Sequence, residues 1–136
     1  MADKVFKLEI VTPRKVVYAG DASSFTAPGV VGGFQVLFNH APLLSELSVG
    51  EVKFRDSSDK LSRYSTSGGV VQVFSNRVLL LADTAERADE IDVARAEKAR
   101  TRAEQRLQER SADLDVARAT LALARAINRL RIAQSR

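Results

Sequence analysis

The chain has no cysteine, a single histidine and three prolines, and from Val116 to Arg136 it carries no acid. Without cysteine there is neither a disulfide nor a thiolate metal site, a pattern that fits a reducing compartment. The lone His40 lacks the companion ligands of a zinc site. No apolar run approaches the ~18 residues of a membrane-spanning helix, so direct membrane insertion is not expected. The opening Met1-Ala2-Asp3-Lys4 has no basic stretch leading into an apolar one, and no Arg/Ser-rich presequence follows. No export or import leader is therefore expected. No serine stands in a recognisable nucleophile context, and the chain is expected to be non-catalytic.

What is present is unevenly distributed. The net charge over 136 residues is only +4. The acid-free stretch, however, holds Arg118, Arg125, Arg129, Arg131 and Arg136. Such a tail suits an anionic partner: an acidic protein face, a nucleotide, nucleic acid or lipid headgroups.

The apolar pattern changes period at one seam. Up to about Asp83 it alternates or comes in short runs broken by turns. Phe6, Leu8 and Ile10 face one way while Lys7 and Glu9 face the other, the signature of a strand with one wet face. Pro13 ends that run. Lys15 to Ala19 and Ser23 to Ala27 read as the next strands, divided by Gly20 and Asp21. Phe34 to Leu37, Val52 to Arg55, Leu61 to Thr66, Val70 to Phe74 and Val78 to Ala82 follow. Their separators are turn residues such as Asp56-Ser57-Ser58-Asp59, Gly68-Gly69 and Ser75-Asn76. Val78-Leu79-Leu80-Leu81 is apolar on both faces, as for a strand deep in a core. Many short strands at such intervals predict a sandwich or barrel.

From Asp89 onward the chain is rich in Ala, Arg and Glu with helical spacing. Asp89 is the expected N-cap of a first helix, with acids at the positive end of its dipole. Ala96, Ala99, Ala103 and Leu107 form a narrow stripe whose small residues admit a second helix closely. Ser111 offers a break and Asp113 a fresh N-cap. The second helix presents Val116, Leu123, Ile127 and Leu130, with Leu114, Ala117, Leu121 and Ala124 beside them. Two helices of roughly 19 residues, about 28 Å each, predict an antiparallel hairpin. Alanine contacts bury little area at roughly 25 cal/mol per Å², so the arm is expected to be weakly held.

Asp92, Arg95 and Arg102 share a face of the first helix, and Arg118, Arg125, Arg129 and Arg136 form a stripe on the second. If the hairpin closes, their guanidinium groups converge, and guanidinium offers phosphate paired planar donors. Asp92 or Glu86 would then accept from ribose hydroxyls or an exocyclic amine. Spacing alone favours the plainer reading, with Asp92 a helix-start acid and the arginines a solvated face. Gly29-Val30-Val31-Gly32-Gly33 lacks the Gly-Lys-Ser/Thr ending of a phosphate loop and leads into a strand, so it reads as a turn. His40 reads as a loop-ordering or partner-contacting residue.

Several segments, in order, resemble one family. They are Gly33-Phe34-Gln35-Val36-Leu37, Asn39-His40-Ala41-Pro42-Leu43-Leu44-Ser45, Leu47-Ser48-Val49-Gly50, Gly68-Gly69-Val70-Val71-Gln72-Val73 and Leu81-Ala82-Asp83-Thr84-Ala85-Glu86. Together they are similar to the epsilon subunit of bacterial and chloroplast F-type ATP synthases. The resemblance implies a β-plus-α fold: an N-terminal ten-stranded β-sandwich over 1–85 and a C-terminal two-helix hairpin over 86–136. It implies a non-catalytic rotor-stalk subunit coupling proton flow to ATP synthesis. The sandwich would hold the gamma subunit and rest on the c-ring, with His40 at a partner contact. The hairpin would inhibit ATP hydrolysis by meeting the alpha and beta subunits, with Arg118, Arg125 and Arg129 facing acids of beta.

Some members bind ATP through a motif that Ile91-Asp92-Val93-Ala94-Arg95-Ala96 matches. By resemblance, Ile91, Asp92, Arg95 and Ala96 would hold the nucleotide together with Glu86, Arg102, Arg125 and Arg129. ATP would be a regulatory ligand, with no required cofactor and no metal. The implied location is peripheral, on the cytoplasmic face of the bacterial inner membrane within the F1 sector. The competing reading is a free-standing adaptor whose basic helix takes an acidic protein or nucleic acid; the resemblance implies no nucleic-acid role.

Overall fold

The computed structural model describes residues 4–134; Arg136 of the basic stripe lies outside them. In chain order the strands are β1 (Phe6–Val11), β2 (Val16–Gly29), β3 (Gly32–Leu37), β4 (Leu43–Leu47) and β5 (Gly50–Asp56). Then come β6 (Leu61–Thr66), β7 (Gly69–Phe74), β8 (Arg77–Ala82), β9 (Ala85–Arg87) and the helices α1 (Val93–Glu109) and α2 (Val116–Gln134). A short 3-10 turn, Ala88–Glu90, joins the two regions.

The strands form two layers of one continuous sheet. One layer runs β1-β8-β7-β4, with β1 parallel to β8 and the other pairs antiparallel. The second contains β3 and β5 on either side of the end of β2, then β6 and β9. Phe6, Leu8 and Ile10 of the first layer meet Phe25, Val52 and Phe54 of the second in a single buried core. The alternation in β1 is realised, with Lys7 and Glu9 exposed. Phe54 sits between Tyr18 and Tyr64, its ring centroid 4.4 Å from one and 5.9 Å from the other. Gly69 has φ +153°, and a side chain there would run into the Leu81 carbonyl, which gives the Gly68-Gly69 turn a steric reason.

Two strand readings are corrected. Gly20 and Asp21 do not divide two strands; β2 runs through them for 14 residues. Its first half pairs with β1, and its second half pairs with β3 and β5. A register shift between Ala22 and Ser24 marks where it passes from one layer to the other. This continuity helps explain nine strands among the described residues where the resemblance implies ten. Nor is β8 buried on both faces. Val78 and Leu80 point into the core, but Leu81 is 51% exposed, because only one side of its layer is covered. On the open face Leu81 stands opposite Val70 of β7, while Phe74 of β7 lies further along opposite Arg77 and Leu44 of β4 lies opposite Gln72.

The helix starts also move. Asp89 falls in the 3-10 turn and bonds Arg87, while Asp92 caps α1, its Oδ1 accepting from the Arg95 N–H at 3.0 Å. Arg110 ends α1 in the left-handed conformation, its N–H donating to the Arg106 carbonyl. Asp113 lies in the connecting turn, and Asp115 caps α2 by accepting from the Arg118 N–H at 3.0 Å. The helices meet through small residues, with Ala96 and Ala103 of α1 and Ala119 and Ala126 of α2 buried. This alanine seam turns larger residues outward. Leu130 is buried as expected, but Val116, Leu121 and Ile127 are exposed. The last turns of α2 lie on the sandwich, where Ile132 and Ala133 pack with Ala88 and Ile91 in a second small core.

Burial pushes the Tyr64 phenol above its ordinary value of 10.0, and the nearby Arg87 charge pulls it only partly back. Burial, then the carboxylates of Asp56 and Asp21, raises Tyr18 likewise. The neutral phenol is thus the form the fold prefers. Its contribution to stability is fully present below about pH 10 and is lost as pH rises through the folded-state value. Tyr64→Phe is expected to shallow this alkaline decline, with Tyr18 supplying the remainder. Urea midpoints measured across that range check it.

Candidate functional site

The site lies where α2 crosses the seam between sandwich and hairpin. β9 pairs with β6, setting Glu86 opposite Ser65 and turning its carboxylate towards α2. Arg129 meets it with two nitrogens. Nη2 donates to Oε2 at 2.9 Å, and Nε lies 2.7 Å from Oε1 without the alignment of a hydrogen bond. The two side chains are only 21% and 36% exposed, so this pair is screened less than the surface pairs elsewhere.

Two spaces flank Arg125. One, of about 420 Å³, lies against the sandwich and is lined by Ser65, Ser67, Asp83, Thr84, Glu86 and Arg129. Its hydroxyls and carboxylates suit the hydroxyls and amines of a sugar or base. The other, of about 520 Å³, lies between the helices over Ala99, Ala103 and Ala122. Arg102 and Arg106 of α1 and Arg118 and Arg125 of α2 line it. None of these four arginines has an ion-pair partner among the described residues. Asp113 and Asp115 line the same space, so four guanidinium groups stand against two carboxylates there, and the excess positive charge suits an anion.

The structure thus sets Glu86 and Arg129 on one space and Arg102 on the other, with Arg125 lining both. It gives the remaining expected residues other surroundings. Ile91 is buried in the small core at the hairpin root, and Ala96 is buried in the alanine seam. Asp92 caps α1 while Arg95 is exposed on its first turn, and neither lines either space. Arg118 contributes to the space between the helices.

His40 lies on the turn between β3 and β4, its Nδ1 2.6 Å from the Ala41 carbonyl. The turn is tied down by Asn76, which accepts from the Asn39 N–H at 2.7 Å and donates to the Val5 carbonyl at 2.9 Å. The sequence reading took Asn76 as a turn residue without its tie to the His40 turn, and it overlooked Asn128, a lone amide buried on α2. An amide amid the apolar spacing of α2 was the available signal for Asn128. Among the described residues no carboxylate, histidine or cysteine cluster could hold a metal, and no helix is long and apolar enough to cross a membrane.

A β-sandwich joined through a short 3-10 turn to an antiparallel helical hairpin defines the class: a two-part sandwich-and-hairpin protein. Comparison with known proteins supplies the particular family. The model described as ATP synthase, Delta/Epsilon chain, beta-sandwich domain matches residues 5–88, and its long alpha-helix domain partner matches 89–134. The ATP synthase epsilon chain of Pelotomaculum thermopropionicum is 49% identical over 107 residues, covering 79% of each chain. That of Moorella thermoacetica is 49% identical over 102 residues, covering 75% of this chain and 76% of its own. The chain belongs to the ATP synthase epsilon-chain family. A chain of the Euglena gracilis mitochondrial ATP synthase shares the fold with a TM-score of 0.79 at 20% identity, covering 100% of this chain and 84% of its own.

The cap assignment separates structure from ligand chemistry at Asp92. Asp92→Ala is expected to destabilise the hairpin by about 1 kcal/mol and to speed amide exchange in the first turn of α1. Asp92→Asn, which keeps the capping oxygen, is expected to leave exchange nearly unchanged.

Proposed function

We propose that the chain is a non-catalytic coupling subunit of the central rotor stalk of a proton-translocating ATP synthase. One observation carries this reading: the open apolar face of β4, β7 and β8. Leu44 is 74% exposed there, with Val70, Phe74 and Leu81 also exposed. Exposed apolar side chains gathered on one sheet face, here interspersed with Gln72 and Glu46, suit an interaction site, and the gamma subunit is the partner it is proposed to hold. The β2–β3 turn, with Val31 99% exposed, and the His40 turn are proposed to face the c-ring. The subunit would then be peripheral, on the cytoplasmic face of the membrane. In support of the wider stalk assignment, a second fold neighbour, with TM-score 0.59 and 19% identity, comes from the central stalk and c-ring of the Tetrahymena thermophila mitochondrial enzyme.

The hairpin is proposed to regulate ATP hydrolysis by binding ATP in the groove. The triphosphate would lie along Arg102 and Arg125, and the nucleoside would reach the hydroxyl- and carboxylate-lined space towards Glu86. Such a ligand touches both helices and the sandwich at once. It therefore favours the form in which all three are together, since a ligand shifts an equilibrium only through its differential affinity. Released from the sandwich, the acid-free α2 would present Arg118, Arg125 and Arg129 to acidic surfaces of the alpha and beta subunits.

Two measurements test these parts separately. Leu81→Glu puts a charge in the apolar face without touching the core, and is expected to cut co-purification with gamma at least tenfold while circular dichroism stays unchanged. Full retention of gamma would remove this face from the contact. Arg125→Ala is expected to weaken Mg-ATP binding tenfold or more in calorimetry, the loss of a charge-assisted hydrogen bond of roughly 1.5–3 kcal/mol. Unchanged affinity would take Arg125 out of the site.

A further inference from the structure

The last turns of α2, which lie on the sandwich, bury Leu130, Ile132 and Ala133, and next to them one amide, Asn128, 6% exposed. Its hydrogen-bonding capacity is well used. Nδ2 donates to the Gly50 carbonyl at 2.9 Å and to Ser65 Oγ at 3.2 Å, while Oδ1 accepts from Arg131 Nη2 at 2.8 Å. The Gly50 carbonyl can only accept, so the nitrogen must face it and the orientation of the amide is settled. Gly50 opens β5 and Ser65 lies in β6, so one side chain ties α2 to two neighbouring strands.

An apolar residue of similar size would fill the same space without the cost of burying an amide. What the amide adds is geometry. Apolar contacts tolerate sliding and rotation of a helix, whereas two donors aimed at two fixed acceptors allow one height and one rotation. Asn128 stands three residues after Arg125 and one before Arg129, so the register it imposes is theirs too. Ser65, which accepts from Asn128, also lines the space beside Arg125 and Arg129.

We propose that Asn128 is the positioning residue that sets the register of α2 on the sandwich and so assembles the Arg125–Arg129 wall of the groove. The consequence for ligand affinity rests on the nucleotide reading above; the setting of register does not. Asn128 touches no ligand in this account and acts through Arg125 and Arg129.

The full-length chain has no cysteine, so labels can be placed cleanly at Ser58→Cys on the sandwich and Gln108→Cys on the hairpin, both at exposed positions. Spin-label distances are measured with Mg-ATP calorimetry on the parent, Asn128→Leu, Arg125→Ala and the double variant. The parent and Arg125→Ala are expected to give one narrow distance distribution, and Asn128→Leu a broad one. Asn128→Leu is expected to weaken Mg-ATP at least tenfold. Adding it to Arg125→Ala is expected to cost clearly less than it does in the parent, because the part of its effect that runs through Arg125 is already lost and only the part through Arg129 remains. A narrow distribution in Asn128→Leu, or fully additive losses, would overturn the proposal. Should Asn128→Leu fail to fold, Ser65→Ala removes one acceptor from the sandwich side and is expected to broaden the distribution to a smaller degree; no broadening there would count equally against it. If the parent binds no Mg-ATP, the nucleotide reading fails, and the distance distributions alone decide whether Asn128 sets the register.

Discussion

The core of Phe6, Leu8, Ile10, Phe25 and Phe54 closes because β2 passes from one layer into the other. A sheet buries one face by packing on another sheet, and here both layers come from one hydrogen-bonded surface that doubles back along this strand. The bend at Ala22 to Ser24 decides which faces turn inward. It therefore also decides which turn outward. The exposed row of Leu44, Val70, Phe74 and Leu81 is the direct consequence of spending the other face of those strands on the core.

The hairpin is built on a different balance. Its helices touch through alanines, which allow close approach but bury little area. Its larger apolar residues Leu121 and Ile127 face outward, and Arg102, Arg106, Arg118 and Arg125 outnumber the carboxylates, Asp113 and Asp115, that line the same space. Such an element gains little from itself. It gains from what it leans on: the Ile91–Ile132 contact cluster at its root, the Glu86–Arg129 pair and the Asn128 hydrogen bonds. Each of these joins α2 to the rest of the chain, so the position of α2 governs the shape of the groove.

Much of this was legible in the residues. Alternation in Phe6 to Ile10 and the turn chemistry at Gly68-Gly69 and Ser75-Asn76 announce strands because they reflect local sterics and single-sided burial. The change to helical spacing after Asp89 announces the hairpin for the same kind of reason. The misreadings share a cause as well. Gly20-Asp21 carries turn chemistry, yet pairing with β1 holds it extended. Asp89 and Asp113 are good capping residues, yet Asp92 and Asp115 are the ones placed where the helices begin. Local preference named the kind of residue, and the packing of neighbours chose among candidates.

The sequence by itself determined the two-part architecture, the open chemistry of an arginine-rich second helix and the membership of the family. Periodicity, charge and motif order are properties of the chain, and folding does not alter them. Only the tertiary structure decided that Glu86, Arg102 and Arg129 line the two spaces that flank Arg125 while Ile91, Asp92 and Ala96 serve the hairpin's own construction. It alone placed Asn128 against Gly50 and Ser65, residues 78 and 63 positions away in sequence. Contacts over such separations depend on how the layers bend and where a helix comes to rest, and no local pattern encodes either.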